Sequence, residues 1–150
     1  MKVLVYGPPK IGGISLRIYG HYLVSELNKI GIDAEFSDKI RYRGFDIINI
    51  HFEHTLFHPF GLRIIPKLIK LKLKGKKIVL TSHTVLAKKE IYARNKLFTL
   101  IKKIILPITE KSLGYLCDKI VVHAVNSKRD LIEDYKIPAN KVEALDRGFY

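Results

Sequence analysis

Apolar and polar positions alternate along this chain with two periods, and the period switches repeatedly. Lys2-Val3-Leu4-Val5-Tyr6 is a short apolar run closed by Gly7-Pro8-Pro9, which predicts a buried strand. With Ser15 read as an N-cap, Leu16, Tyr19, Leu23, Leu27 and Ile30 recur at spacings of three and four. That is a helical stripe, and Gly31 follows where a helix C-cap favours glycine. Asp33–Phe36 and Asp46–Ile50 predict two further strands. Phe57 to Lys74 interleaves Ile and Leu with Lys as a basic amphipathic helix that starts after Pro59-Phe60-Gly61 and ends at Gly75. Lys77–Thr81 predicts a strand and Leu97–Tyr115 a long helix, with a kink expected at Pro107. Lys119–Val122 predicts another strand. Ser127 with Asp130 resembles a capping box that opens a helix over Lys128–Tyr135, and Val142–Leu145 is a last short strand.

Strands separated by helices imply right-handed crossovers and neighbouring strands that run parallel. The predicted fold is therefore α/β: a Rossmann-like, mostly parallel sheet with helices on both faces, in a single domain. A length of 150 residues suits one domain, and an apolar share of 47% excludes a disordered chain. The single cysteine, Cys117, excludes a disulfide framework and a thiolate metal cluster. Twenty-seven Lys and Arg against fourteen Asp and Glu leave a net charge of +13. Such an excess favours an anionic partner, whether nucleic acid, a phospholipid surface or a phosphorylated substrate. The opening residues do not read as a secretory signal, and no uncharged apolar stretch reaches the roughly 18 residues that span a bilayer. A cytoplasmic protein is expected, soluble or peripheral at the inner face of the membrane.

In a doubly wound sheet, ligands gather at the carboxyl ends of the strands, so the loop Gly7–Ser15 matters first. Gly7, four residues and Gly12 nearly give a P-loop, but Gly13 stands in place of the lysine and Ile14 in place of Ser or Thr. No G-x-G-x-x-G fingerprint is present either. What remains is Gly12-Gly13 ahead of a helix N-terminus. The pair lets main-chain amides approach an anion, or it serves a tight turn that needs positive φ. His51, His83 and His123 each stand where a predicted strand stops, with Glu53 and His54 just beyond the first. A three-histidine zinc site, acid/base catalysis and hydrogen-bonded turn residues are the competing readings. His51-Phe52-Glu53-His54 lacks the helical H-E-x-x-H spacing, and the zinc-deaminase pattern needs a cysteine pair. Histidines clustered around Gly12-Gly13 favour a polar ligand site.

Four segments together resemble the N-terminal domain of GT-B glycosyltransferases of the family 4 type. They are Lys2–Tyr6 with Pro8-Pro9, Gly12-Gly13 and a helix holding His21; Asp46–Ile50 with His51, Glu53 and Pro59; Leu80–Leu86 around His83; and Cys117–His123 with Asn126–Asp134 and Ile137-Pro138. The resemblance implies half of a GT-B fold, the acceptor-side domain, facing a donor-binding domain across a cleft. Transfer would use a nucleotide-sugar donor and a lipid or glycan acceptor, usually with retention of configuration and without metal or other cofactor. It places Gly12 and Gly13 near the donor diphosphate and His83 at the transferred sugar as the catalytic contact. Lys10, Arg17, His51 and Glu53 are then expected on the acceptor side. The sequence stops at Asp146-Arg147-Gly148-Phe149-Tyr150, where the family continues into its second domain. The expectation is a half-enzyme that does not transfer sugar alone and works with a separate donor domain or in a homo-oligomer.

Arg63, Lys67, Lys70 and Lys74 alternate with Ile and Leu, the pattern of a helix lying on an anionic membrane surface or of a core helix with a solvated basic face. A stand-alone basic module that binds a membrane or a protein partner without catalysis is the alternative function. A nucleic-acid binder is the third, permitted by charge and aromatic content but lacking a recognised motif.

Overall fold

The computed structural model describes residues 1–7, 14–57, 60–88 and 96–145. Six strands form one sheet in the order β2-β1-β3-β4-β5-β6, with every neighbouring pair parallel. The strands are β1 (Lys2–Tyr6), β2 (Asp33–Ser37), β3 (Ile47–Phe52), β4 (Lys77–Ser82), β5 (Lys119–Val122) and β6 (Val142–Ala144). The helices are α1 (Ile14–Lys29), α2 (Ile65–Leu73), α3 (Lys96–Leu116) and α4 (Val125–Glu133). The chain steps from β1 to β2 in one direction and then resumes on the other side of β1 with β3. The order therefore switches between β1 and β3, which puts α1 and the later helices on opposite faces.

Residue parity along the strands separates those faces. Leu4, Tyr6, Ile48, Ile50, Phe52, Ile78, Leu80, Ile120 and Val122 point to one side and join Leu68 and Leu71 of α2, Leu113 of α3 and Leu131 of α4 in the main core. Val3, Val5 and Ala34 point to the other side and pack under Leu23, Val24 and Leu27 of α1. On that second face β3 and β4 turn polar: Asn49, His51 and Thr81 are buried there, and Asn49 donates from Nδ2 to Thr81 Oγ1 at 3.1 Å.

α1 ends as its sequence predicts. Gly31 has φ 83°, its amide donates to the Asn28 carbonyl at 3.1 Å, and Ile32 donates to Leu27 at 3.0 Å, so the last carbonyls are satisfied. Gly20 serves proximity instead: a Cβ there would lie 2.5 Å from the Phe36 ring, so only glycine lets α1 settle this closely on β2.

Several expected boundaries shift. Ser15 lies within α1, which already includes Ile14, so it is not an N-cap. Ser127 also lies within its helix: α4 starts at Val125 after an extended Ala124, with no side-chain capping bond. The capping-box reading fails because serine and aspartate three apart also suit a helix's first turns. The basic helix is shorter than its periodicity, a 3-10 turn at Leu62–Ile64 leading into α2. Pro107 lies inside α3, which continues through it to Leu116. β3 runs two residues past Ile50, so His51 is a strand residue and not the first loop residue.

Candidate active site at the carboxyl edge of the sheet

The ladder dictates where the histidines meet. Thr81 lies opposite His51, and Val122 lies opposite Ser82, so His83 and His123 come level one position further on. The His83 amide donates to the Phe52 carbonyl at 3.0 Å, which extends the registration of β3 and β4 past the strand end. Ser82 Oγ donates to the Thr84 carbonyl at 3.2 Å, fixing the turn that carries His83. All three histidines share the polar face, because each is an even number of residues from Asn49 or Thr81 along its strand or in register.

Their rings form one cluster. His51 Nδ1 and His83 Nε2 are 3.0 Å apart, a hydrogen bond between imidazoles whose rings stack at 5.2 Å. The His83 and His123 rings are 4.8 Å apart. Tyr19 of α1 stands edge-on to all three, with centroids 5.3 Å from His51, 5.6 Å from His83 and 5.4 Å from His123. The sequence marks the imidazoles by their strand-end positions. It gives no such signal for Tyr19, which reads as one more member of an apolar helix stripe.

His51 is fully buried, and its Nε2 has no hydrogen-bond partner among the described residues. Burial above all, then the neighbouring His83 and His123, pushes its pKa down to about 3. At neutral pH it is therefore uncharged, and the pair shares one proton between Nδ1 and Nε2. If His51 donates, its buried Nε2 is a bare acceptor; if His83 donates, that buried nitrogen becomes an orphaned N–H, the costlier state. The first tautomer leaves the His83 Nδ1–H as a donor at the half-buried position.

The remaining expected site residues distribute differently. Gly12, Gly13 and Lys10 lie outside the described residues. Glu53 follows β3, and its carboxylate accepts from Thr55 Oγ1 at 2.9 Å. Arg17 leaves the histidine cluster for the β2 side: its guanidinium lies 5.5 Å over the Phe36 ring. Lys67 stands over Tyr6 and Phe57 at 5.9 and 5.8 Å, and Lys70 over Tyr42 at 5.7 Å, while Arg63 and Lys74 are exposed. The apolar face of α2 is spent on the core through Leu68 and Leu71. Among the described residues, no three His, Cys, Asp or Glu side chains are placed to hold a metal ion. His51 and His83 address each other instead of a common point. Cys117 is buried, and burial pushes its thiol up to about 12, so it is no nucleophile.

A parallel sheet with a switch point at β1 and helices on both faces defines a Rossmann-like α/β domain. The model of Glycosyltransferase Family 4 matches residues 14–149, and the chain belongs to that family. No curated protein matches it. No helix among the described residues is long and apolar enough to cross a membrane.

Proposed function

We propose that this domain is the acceptor-side half of a retaining, nucleotide-sugar-dependent glycosyltransferase. The observation that carries the reading is the cluster of three imidazoles and one phenol at the tips of β3, β4 and β5. Imidazoles and a phenol suit a hydroxyl-rich ligand: they orient it by hydrogen bonds and leave charge on phosphate to other groups. His83 contacts the transferred sugar, and His51 positions His83 by fixing its tautomer. The family resemblance assigns the donor diphosphate to Gly12-Gly13 and the acceptor side to Lys10 and Glu53. Most donor contacts come from a second domain, so the chain alone does not transfer.

The test uses the purified 150-residue chain with a nucleotide sugar and candidate acceptors, alone and mixed with a donor-binding domain of the same family. No transfer is expected from the chain alone, and transfer that His83→Ala abolishes is expected from the mixture. Turnover by the chain alone contradicts the half-enzyme reading.

A second reading, attachment to an anionic membrane surface, is favoured by α3. Leu97, Leu100, Ile104 and Ile108 recur along it at 65, 56, 56 and 54% exposure beside Lys96, Lys103 and Lys111. The one acidic residue of α3, Glu110, is buried. An exposed apolar seam flanked by cations suits a lipid interface better than α2 does, where the basic face with Arg63 and Lys74 is left as a supporting field. Co-sedimentation with anionic but not neutral vesicles is expected; equal binding to both contradicts it.

A further inference from the structure

Two residues before Tyr19, α1 carries a cation into a cavity beside β2. Arg17, Phe36, Ser37, Asp38, Lys39 and Arg41 line a space of about 460 Å³ at the carboxyl edge of β2. Three cations face one carboxylate there. Arg17 Nη1 is buried and has no hydrogen-bond partner among the described residues, although a guanidinium cannot shed its charge to escape that cost. Glu35 binds Lys2 at 2.6 Å and pairs with Arg41 at 3.8 Å, which leaves Arg17 and Lys39 facing Asp38. Lys39 makes no ion pair among the described residues. Its backbone is held instead, Ser37 Oγ accepting from the Lys39 amide at 3.1 Å and donating to its carbonyl at 2.8 Å. The cavity thus has a turn held by Ser37, a guanidinium laid over Phe36 and more cations than carboxylates. Arg17 also lies in the first turn of α1, which has no acidic residue, so the helix dipole adds to the positive potential.

We infer that this cavity binds the phosphate of a phosphorylated acceptor, with Arg17 and Lys39 as its principal ligands. The inference deepens the acceptor-side reading and rests on it. α1 presents Tyr19 to the imidazoles and Arg17 to the β2 cavity, about 200° apart around the helix and separated by a helix width on the order of 10 Å. An acceptor that spans this distance places its phosphate on Arg17 and its reacting hydroxyl toward His83. Inorganic phosphate, a soluble phosphate ester and a phospholipid headgroup share the recognised chemistry.

The chain labelled with ¹⁵N is titrated with inorganic phosphate, glycerol 3-phosphate, glycerol and short-chain phosphatidic acid micelles, following the amides of β2 and the Lys39 turn. Phosphate and at least one ester shift those amides, and glycerol does not. Arg17→Gln and Lys39→Gln each weaken binding about tenfold, in line with loss of a charge-assisted contact; Lys39 is exposed, so its variant keeps the test intact if Arg17→Gln folds poorly. A response to the micelles that these variants remove assigns the phosphate to a lipid, and a response to glycerol 3-phosphate alone assigns it to a soluble acceptor. No shift, or shifts that survive both substitutions, overturns the site. The titration needs no donor domain, so its outcome is independent of whether transfer is observed.

Discussion

His51 and His54 are three residues apart and make opposite kinds of partnership. His51, inside β3, faces the α1 side and meets another imidazole at 3.0 Å, where burial and two like neighbours keep it neutral. His54, beyond the end of β3, lies against Phe52 of the opposite face and sets Nε2 2.7 Å from Glu110 of α3, with both residues buried. The first pair opens toward the crevice through the half-buried His83. The second is enclosed between the sheet and a helix, so it ties α3 to the core and offers nothing to a ligand. Histidine supplies the same two nitrogens in both places; strand parity and the partner's charge decide whether they orient a ligand or hold a helix.

The enclosed pair carries the larger energy. Glu110→Ala strands a buried imidazole nitrogen, and a loss of about 2 kcal/mol is expected in urea unfolding. Glu110→Gln, which keeps an oxygen acceptor, recovers part of it. A cost below about 1 kcal/mol for Glu110→Ala would erase the contrast between the two pairs.

The open pair should show itself through pH. The unfolded His51 titrates near 6.5 and the folded one near 3, so between those values the native state binds fewer protons than the unfolded state. Stability therefore falls as pH drops through this window, by on the order of 1 kcal/mol per pH unit from this residue. His51→Asn is expected to flatten that slope relative to the parent chain in denaturation series at pH 4 to 6, a range inside the window. An unchanged slope assigns the dependence to other groups.

The smallest effect tests how fully α3 is satisfied beside Glu110. Thr109 is fully buried and its Oγ1 has no hydrogen-bond partner among the described residues. Thr109→Val removes an unmet hydroxyl at similar volume and is expected to be neutral or to stabilise by about 1 kcal/mol in thermal unfolding. A clear loss would mean that the hydroxyl is engaged.

How much was legible follows from the same physics. β1 and β5 were readable to the residue, because short apolar runs between turn signals have few alternative fates. The Gly31 terminus was readable because positive φ selects glycine. Capping failed at Ser15 and Ser127, where local polar residues suit both a cap and a helix interior. The histidine cluster was legible as three strand ends on one edge. Its tightness was not, since it depends on β3 running on to Phe52 and on parallel register bringing His83 level with His123. Arg17 was expected beside the acceptor, but its cavity needed Lys39 and Arg41, which stand in a turn without periodicity or motif. Lys67 and Lys70 carried a basic stripe in the sequence; the fold lays them on Tyr6, Phe57 and Tyr42, contacts that join residues far apart in the chain.

The most direct measurement is a ¹⁵N NMR titration of the histidine rings, which reads charge and tautomer at each nitrogen. His51 is predicted to stay neutral down to the acid limit of the fold, with Nδ1 and the Nε2 of His83 showing the shifts of one shared hydrogen bond. Titration of His51 near 6.5, independent of His83, would contradict the buried imidazole pair on which the site is built.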